Sequence, residues 1–264
     1  MRTFPFEIKK IVIKISTQMI TDGVAEIYYK KVKAFVKDVS ELIKKGYSIV
    51  LVSSGAIGCG LAILGLKSRP IEYKKLQALA SVGQIHLMKL YQEEFEKYGL
   101  HVGQILLSAD DTKDSTRKSN VRNTLEVLLE KGIVPIINEN DSVAIEELSY
   151  GDNDTLSALV SILLYVDLLM ILTDVEGLYD KNPKLHSTCN IIRQVDKIND
   201  EIEKLAEDID GKITFGGMKS KIQAVKKTTI VGIPAIITSF NNNNNLLKRI
   251  LKGEEIGTYF VAQK

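Results

Sequence analysis

Apolar residues along this chain follow two alternating rhythms. Short unbroken runs of aliphatic residues predict strands buried on both faces, while longer stretches with apolar positions every three or four residues predict amphipathic helices. Lys10–Ile15 reads as the first strand. Val32, Phe35, Val36, Val39, Leu42 and Ile43 then mark one helical face until Gly46 supplies a stop, and Ser48–Ser53 is the next strand. The pattern continues with a helix over 73–98, a strand over 101–107, a helix over 119–131 closing at Gly132, and a strand over 133–137. A helix starting after Asp154 leads into a strand over 168–172, whose end at Thr173-Asp174 opens a loop to Pro183. Beyond lie a polar segment to about Lys212, a glycine turn at Gly216-Gly217, a helix over 218–228, and strands near 235–237 and 258–261. The asparagine run 241–245 reads as a surface loop. Strand–helix–strand units of this kind imply an α/β fold with a parallel sheet and helices packed on its faces.

Composition narrows the function classes. A chain of 264 residues with 45% hydrophobic content can bury a full core, and one compact unit of two lobes is expected. Lys plus Arg number 35 against 33 Asp plus Glu. That balance lacks the excess that drives nucleic-acid or membrane-surface binding, so the expected partner is a small molecule. Cys59 and Cys189 are isolated, and with three histidines they form no metal-binding spacing; a reduced cytoplasmic chain without structural zinc is expected. No secretory signal is expected from the N-terminus, which lacks an apolar core segment. Ser157, Ser161, Tyr165 and Asp167 interrupt the most membrane-like stretch, so no membrane span is expected.

The candidate chemistry is concentrated at strand ends. Asn138-Glu139-Asn140-Asp141 follows an apolar strand, with Gly151-Asp152-Asn153-Asp154 close behind. Ligands of open α/β sheets bind outside the carboxyl ends of strands, although Asx residues also cap their own turns. Gly55-Ala56-Ile57-Gly58-Cys59-Gly60 also follows a strand. Its spacing is neither the dinucleotide fingerprint nor a P-loop, and it fits either an anion cradle or a tight connection. Lys14 lies near the end of the first strand and Lys221 opens a helix, and both could reach one phosphate. An ammonium at a helix start opposes the macrodipole, and an anion between that start and the ammonium would resolve the conflict.

The motifs 52–57, 136–141, 151–158, 172–179 and 216–221 occur in the order and spacing of the amino-acid kinase family, and the acid-amide motifs resemble its glutamate-phosphorylating branch. The resemblance runs from about Lys9 to Phe260. It implies a three-layer αβα sandwich with a mostly parallel central sheet. The implied activity is transfer of the ATP γ-phosphoryl group to the side-chain carboxylate of L-glutamate, giving γ-glutamyl phosphate for proline biosynthesis. By the same resemblance Ser54, Gly55 and Ala56 hold a substrate carboxylate, while Asp141 and Asn153 take the amino group. Lys14 and Lys221 stabilise the transferring phosphoryl and Asp154 orients them. Thr173 and Asp174 contact the nucleotide, and Phe215, Gly216, Gly217, Met218, Lys219, Ser220 and Lys221 cover its phosphates. Mg²⁺ bridges the β- and γ-phosphates without a dedicated protein cage. One kinase domain over 1–264 is expected, with an amino-acid lobe to about 165, a nucleotide lobe from about 166, and no C-terminal PUA domain. The family further suggests proline as feedback inhibitor and a homo-oligomer, dimeric or tetrameric.

Two positions depart from the family pattern. Ser16 stands where glycine is usual after the first strand, and Phe215 replaces a threonine. At Ser16 two readings stay open: the added Cβ obstructs backbone approach to phosphate if the usual glycine has positive φ, or the hydroxyl donates to phosphate instead. At Phe215 a lost hydroxyl removes a hydrogen bond, so weaker ATP binding is expected. Two other readings stand beside the favoured one: a relative phosphorylating another acid, and a noncatalytic glutamate- or proline-binding protein.

Overall fold

The strand order of the sheet explains where a ligand can enter. In the computed structural model, which describes residues 1–22, 26–144, 153–183, 185–186, 188–210, 217–240 and 245–263, the first half supplies β1 (Lys10–Ile15), α1 (Thr17–Ile20), α2 (Tyr29–Ile43), β2 (Ser48–Ser53), α3 (Ala56–Ile63) and α4 (Tyr73–Glu96). Then come β3 (Val102–Leu107), a 3-10 turn (Ala109–Thr112), α5 (Ser115–Glu130), β4 (Val134–Glu139), α6 (Asn153–Leu164) and β5 (Leu168–Thr173). The remainder is β6 (Gln194–Val195), α7 (Asp200–Asp210), α8 (Met218–Ile230), β7 (Ala235–Ser239), α9 (Leu246–Leu251) and β8 (Thr258–Phe260).

These strands form one sheet in the order β3-β4-β2-β1-β5-β7-β8-β6, parallel except where β7 meets β8. The chain winds from β1 through β2 toward β3 and β4, then returns past β1 to lay β5 on its other side. The strand order therefore reverses around β1, and a crevice opens at the carboxyl ends of the strands there.

Alternation along β1 separates two cores. Ile11, Ile13 and Ile15 pack with residues of α2, α4 and α9, while Val12 packs with α6, α8 and the opposite faces of β2 and β5. Lys14 shares the parity of Val12, so its side chain is directed to the α6 and α8 face. The result is three layers, αβα.

Several elements lie outside the predicted pattern, each for a physical reason. The 55–60 segment is a helix from Ala56 onward rather than a glycine loop. Gly55 alone needs its freedom for the turn, at φ 109° with Ile20 only 3.0 Å from where a Cβ would stand. Gly60 and Gly83 instead bring α3 and α4 together, since a Cβ on Gly83 would lie 1.8 Å from the Ala56 carbonyl oxygen. The polar segment before Lys212 contains α7, whose first turn carries Asp200, Glu201 and Glu203. The helix predicted to start after Asp154 includes Asn153 and Asp154, and α5 starts earlier than 119, capped by Asp114 accepting from the Arg117 amide at 2.7 Å. Of the asparagine run, 241–244 lie outside the described residues, and Asn245 stands at the N-terminal boundary of α9 in a left-handed conformation without a side-chain cap. Among the described residues no helix is long and apolar enough to cross a membrane.

Candidate active site

Three elements distant in sequence converge on one buried charge cluster. Lys14 from β1 places Nζ 2.6 Å from Asp154 Oδ1, and Lys221 from α8 places Nζ 3.1 Å from Asp154 Oδ2. The carboxylate is fully buried and both lysine side chains are 3% exposed. Ser220 Oγ lies 3.0 Å from Asp154 Oδ2 and 2.9 Å from the Gly217 carbonyl oxygen, sharing its one proton between them, and closes the first turn of α8 onto α6. Two ammoniums converge on this one carboxylate in a desolvated crevice, where each buried charge is costly unless opposite charge or hydrogen bonds meet it. Paired lysines fixed in this way are suited to meet an anion.

Beside it lies a second, neutral set of polar groups. Asn153, next to Asp154 on α6, donates Nδ2 to Ser54 Oγ at 2.9 Å and to Asn138 Oδ1 at 2.8 Å. Its Oδ1 is buried and finds no hydrogen-bond partner among the described residues. Asn138 in turn donates Nδ2 to Gln84 Oε1 of α4 at 2.9 Å. Ser54 follows β2, its amide bonded to the Ile15 carbonyl at 3.0 Å, and Gly55 turns the chain so that α3 begins at Ala56. The opening amides of that helix have no intrahelical acceptor. Tyr91 on α4 meets Ser53 Oγ at 2.9 Å in the buried layer beneath, and Ser53 donates onward to the Ser54 carbonyl at 3.0 Å.

Asp141 sits past the end of β4 on the rim of a cleft of about 260 Å³ lined by Ser81, Gln84, Glu139, Asn140 and Ser142 as well. Burial pushes its carboxyl up to about 6, against a smaller opposing pull from Arg69. An ammonium group placed there would restore the ionised form. Thr173 is buried at the end of β5 and donates to Asp174 Oδ1 at 3.0 Å, while Asp174 itself is exposed.

The predicted site residues thus divide. Lys14, Asp154, Ser220 and Lys221 are in mutual contact, and Asn153 links them to Ser54. Met218 packs into the core under α8, and Lys219 turns outward to Glu207 at 2.7 Å. Phe215 and Gly216 lie outside the described residues, as do Gly151 and Asp152. Of the two readings left open at Ser16, the strained one does not apply: its φ is −76° with extended ψ, a conformation open to any residue. Its hydroxyl is buried without a hydrogen-bond partner among the described residues, at the mouth of the same crevice. Cys59, which lies near the Gly55 turn, is fully buried with its thiol pushed up to about 12, so it stays protonated and unreactive.

The sequence reading assigned no role to Gln84 or Tyr91. Both sit on α4, where a polar residue inside an amphipathic helix carries no mark of what it touches. The usable signal was Gly83, whose missing side chain announces a close crossing beside Gln84.

Comparison with known proteins places this geometry. The chain is 40% identical over 260 residues to the glutamate 5-kinase of Clostridium tetani, covering 98% of this chain and 96% of that one. It is 44% identical over 256 residues to the glutamate 5-kinase of Dictyoglomus turgidum, covering 97% and 68%. Among solved structures, the UMP kinase of Bacillus anthracis superposes with a TM-score of 0.65 at 13% identity, covering 98% of both chains. A carbamate kinase from Giardia lamblia bound to AMP-PNP superposes with 0.66 at 17%, covering 96% and 98%. Those two likenesses establish the fold. With residues 9–239 also matching the family model, this chain belongs to the amino acid kinase family.

Proposed function

We propose that this chain transfers the γ-phosphoryl group of ATP to the side-chain carboxylate of L-glutamate, as the first step of proline biosynthesis. The observation that carries the reading is the Lys14–Asp154–Lys221 cluster standing beside the Ser54–Asn153–Asn138 set. One grips an anion under transfer, the other an amino acid. The relatives at 40% and 44% identity, named for this activity, support the substrate.

The chemistry asks little of the protein beyond placement. A glutamate side chain ionises near ~4.3, so at neutral pH its oxygen attacks without a general base. The new bond joins that oxygen to the γ-phosphorus as the bond to the β–γ bridging oxygen breaks, and ADP leaves with the electron pair. Charge develops on the equatorial oxygens of the phosphoryl group, and Lys14 and Lys221 are placed to meet it. Asp154 touches both lysines and holds them apart at fixed positions, a positioning role.

Ser54 and the opening amides of α3 receive the substrate α-carboxylate, and Asp141 with Asn153 Oδ1 receives the ammonium. Thr173, Asp174 and the 215–221 segment form the nucleotide side, with Ser16 Oγ as an added donor. On this division residues to about 165 form the amino-acid lobe and those from about 166 the nucleotide lobe. Among the described residues no group of three His, Cys, Asp or Glu side chains is placed to hold a metal ion, and Asp154 is taken up by two lysines. Mg²⁺ enters the proposal as the counter-ion of the ATP phosphates, and no step is assigned to it. A cytoplasmic location, proline inhibition and a homo-oligomeric assembly are supported by the family resemblance.

The test is ADP release by the purified chain with Mg-ATP and L-glutamate, L-aspartate, N-acetyl-L-glutamate or no acceptor. Release dependent on glutamate supports the proposal. Equal or greater release with another acceptor refutes it.

A further inference from the structure

We infer that Gln84 is a positioning residue that fixes the hydrogen-bond polarity of the amino-acid site and so tunes its demand for a free α-ammonium group. The inference rests on the glutamate reading above and assigns a role to a side chain on α4 that need not touch substrate.

The amide groups orient one another in turn. Gln84 presents its carbonyl oxygen to Asn138, which answers with Nδ2 at 2.9 Å. Asn138 must then direct Oδ1 the other way, where it accepts from Asn153 Nδ2 at 2.8 Å and from the Glu139 amide at 2.9 Å. Asn153 is oriented in its turn: Nδ2 faces Asn138 and Ser54, and Oδ1 is left as a buried acceptor with no partner among the described residues. Ser54 Oγ accepts from Asn153, so its own proton is available to donate.

The chain of four polar side chains therefore ends in one acceptor and one donor. An α-amino acid carries the complement, an ammonium that donates and a carboxylate that accepts. Rotating the Asn138 amide would set two carbonyl oxygens face to face at Gln84 and two NH₂ groups face to face at Asn153. Gln84 is held at this position because Gly83 lets α4 pass against the Ala56 carbonyl and the Gly60 amide, where a Cβ would lie 1.8 and 2.4 Å away. The Glu139 amide holds the same Asn138 oxygen, so loss of Gln84 weakens the orientation without abolishing it.

The test compares calorimetric binding of L-glutamate and of glutarate, which has the same two carboxylates and no amine. Three proteins are titrated: the parent chain, Gln84→Leu and Gln84→Glu. Gln84→Leu removes the acceptor at similar volume; Gln84→Glu keeps an acceptor facing Asn138. Gln84→Leu is expected to weaken glutamate binding about tenfold, the scale for a misoriented hydrogen bond to a charged group, with glutarate binding changed less than threefold. The preference for glutamate over glutarate falls accordingly, and Gln84→Glu restores most of it.

If Gln84→Leu weakens both ligands alike, the residue serves packing and the inference fails. It fails equally if the preference does not change, or if Gln84→Glu loses the preference as Gln84→Leu does. A parent chain that binds no glutamate overturns the functional reading, and this inference with it, whereas glutamate binding with an unmoved preference overturns this inference alone.

Discussion

Replacing Lys221 with methionine separates what the charge cluster does for stability from what it does for catalysis. The substitution keeps the aliphatic length of the side chain and deletes one of two ammoniums that share Asp154. Lys14 and Asp154 remain paired at 2.6 Å. Breaking a buried pair normally costs about 3–5 kcal/mol because one charge is stranded, but here the carboxylate keeps Lys14 and Ser220, and the expected change is within about 1 kcal/mol. Asp154→Asn is the opposite perturbation, taking from both lysines the carboxylate they share, and is expected to cost the full amount of about 3–5 kcal/mol. For a chain of this size that lowers the melting temperature by roughly 6–20 °C, against at most about 4 °C for Lys221→Met. Catalysis reverses the ranking of tolerance. Removing a preorganised donor aimed at developing charge costs about 10²–10³ in kcat. Melting without nucleotide and steady-state ADP release with glutamate measure the two quantities. A Lys221→Met protein with kcat within tenfold of the parent, or one that melts as low as Asp154→Asn, would refute the reasoning.

Other expectations follow from single features. Because Ser16 has an extended backbone and a buried hydroxyl with no partner among the described residues, Ser16→Ala and Ser16→Gly should both weaken binding of a nonhydrolysable ATP analogue, by about fivefold, through the lost donor. Tighter binding by the glycine variant would show that the serine obstructs phosphate. Asp141, lifted by burial from 3.8 to about 6, holds its proton more tightly when folded, so the empty protein loses stability as pH rises from about 4 to 6. Glutamate needs the ionised form, so its Kd should rise about tenfold per unit below pH 6 while the ATP analogue shows no such step; Asp141→Asn should abolish it. Gly83→Ala drives a Cβ into backbone atoms of α3, and a loss of about 1–3 kcal/mol or more is expected in denaturant unfolding. An unchanged midpoint would mean the helices are not in that contact.

The fold was readable where physics acts locally. Central strands such as Ile49 to Val52 are buried on both faces and so keep unbroken apolar runs, and α2 shows its stripe because one face meets the sheet. The segment 55–60 was not readable as a helix, because glycines that serve helix crossing look the same in sequence as glycines that serve a loop. The helix α7 was legible but missed: Ile202, Leu205, Ala206 and Ile209 recur at helical spacing, and the acids around them made the segment read as merely polar. The charge cluster was legible only in part. Lys14, Asp154 and Lys221 come from β1, α6 and α8; the two lysines could be read as reaching one phosphate, but only the resemblance joined Asp154 to them before the fold did. The amide chain through Gln84 had no linear signature, since its polarity is decided by which atom of each amide faces its neighbour.

The most direct test of the account is to trap the product. Acyl phosphates react with hydroxylamine to give hydroxamates, which are read by colour with ferric ion. The account predicts hydroxamate in an amount matching ADP when the parent chain is given Mg-ATP and L-glutamate, little with L-aspartate, and a loss of about 10²–10³ in rate for Lys221→Met. ADP formed without hydroxamate would show that the phosphoryl group goes to water rather than to carboxylate, and would contradict the account.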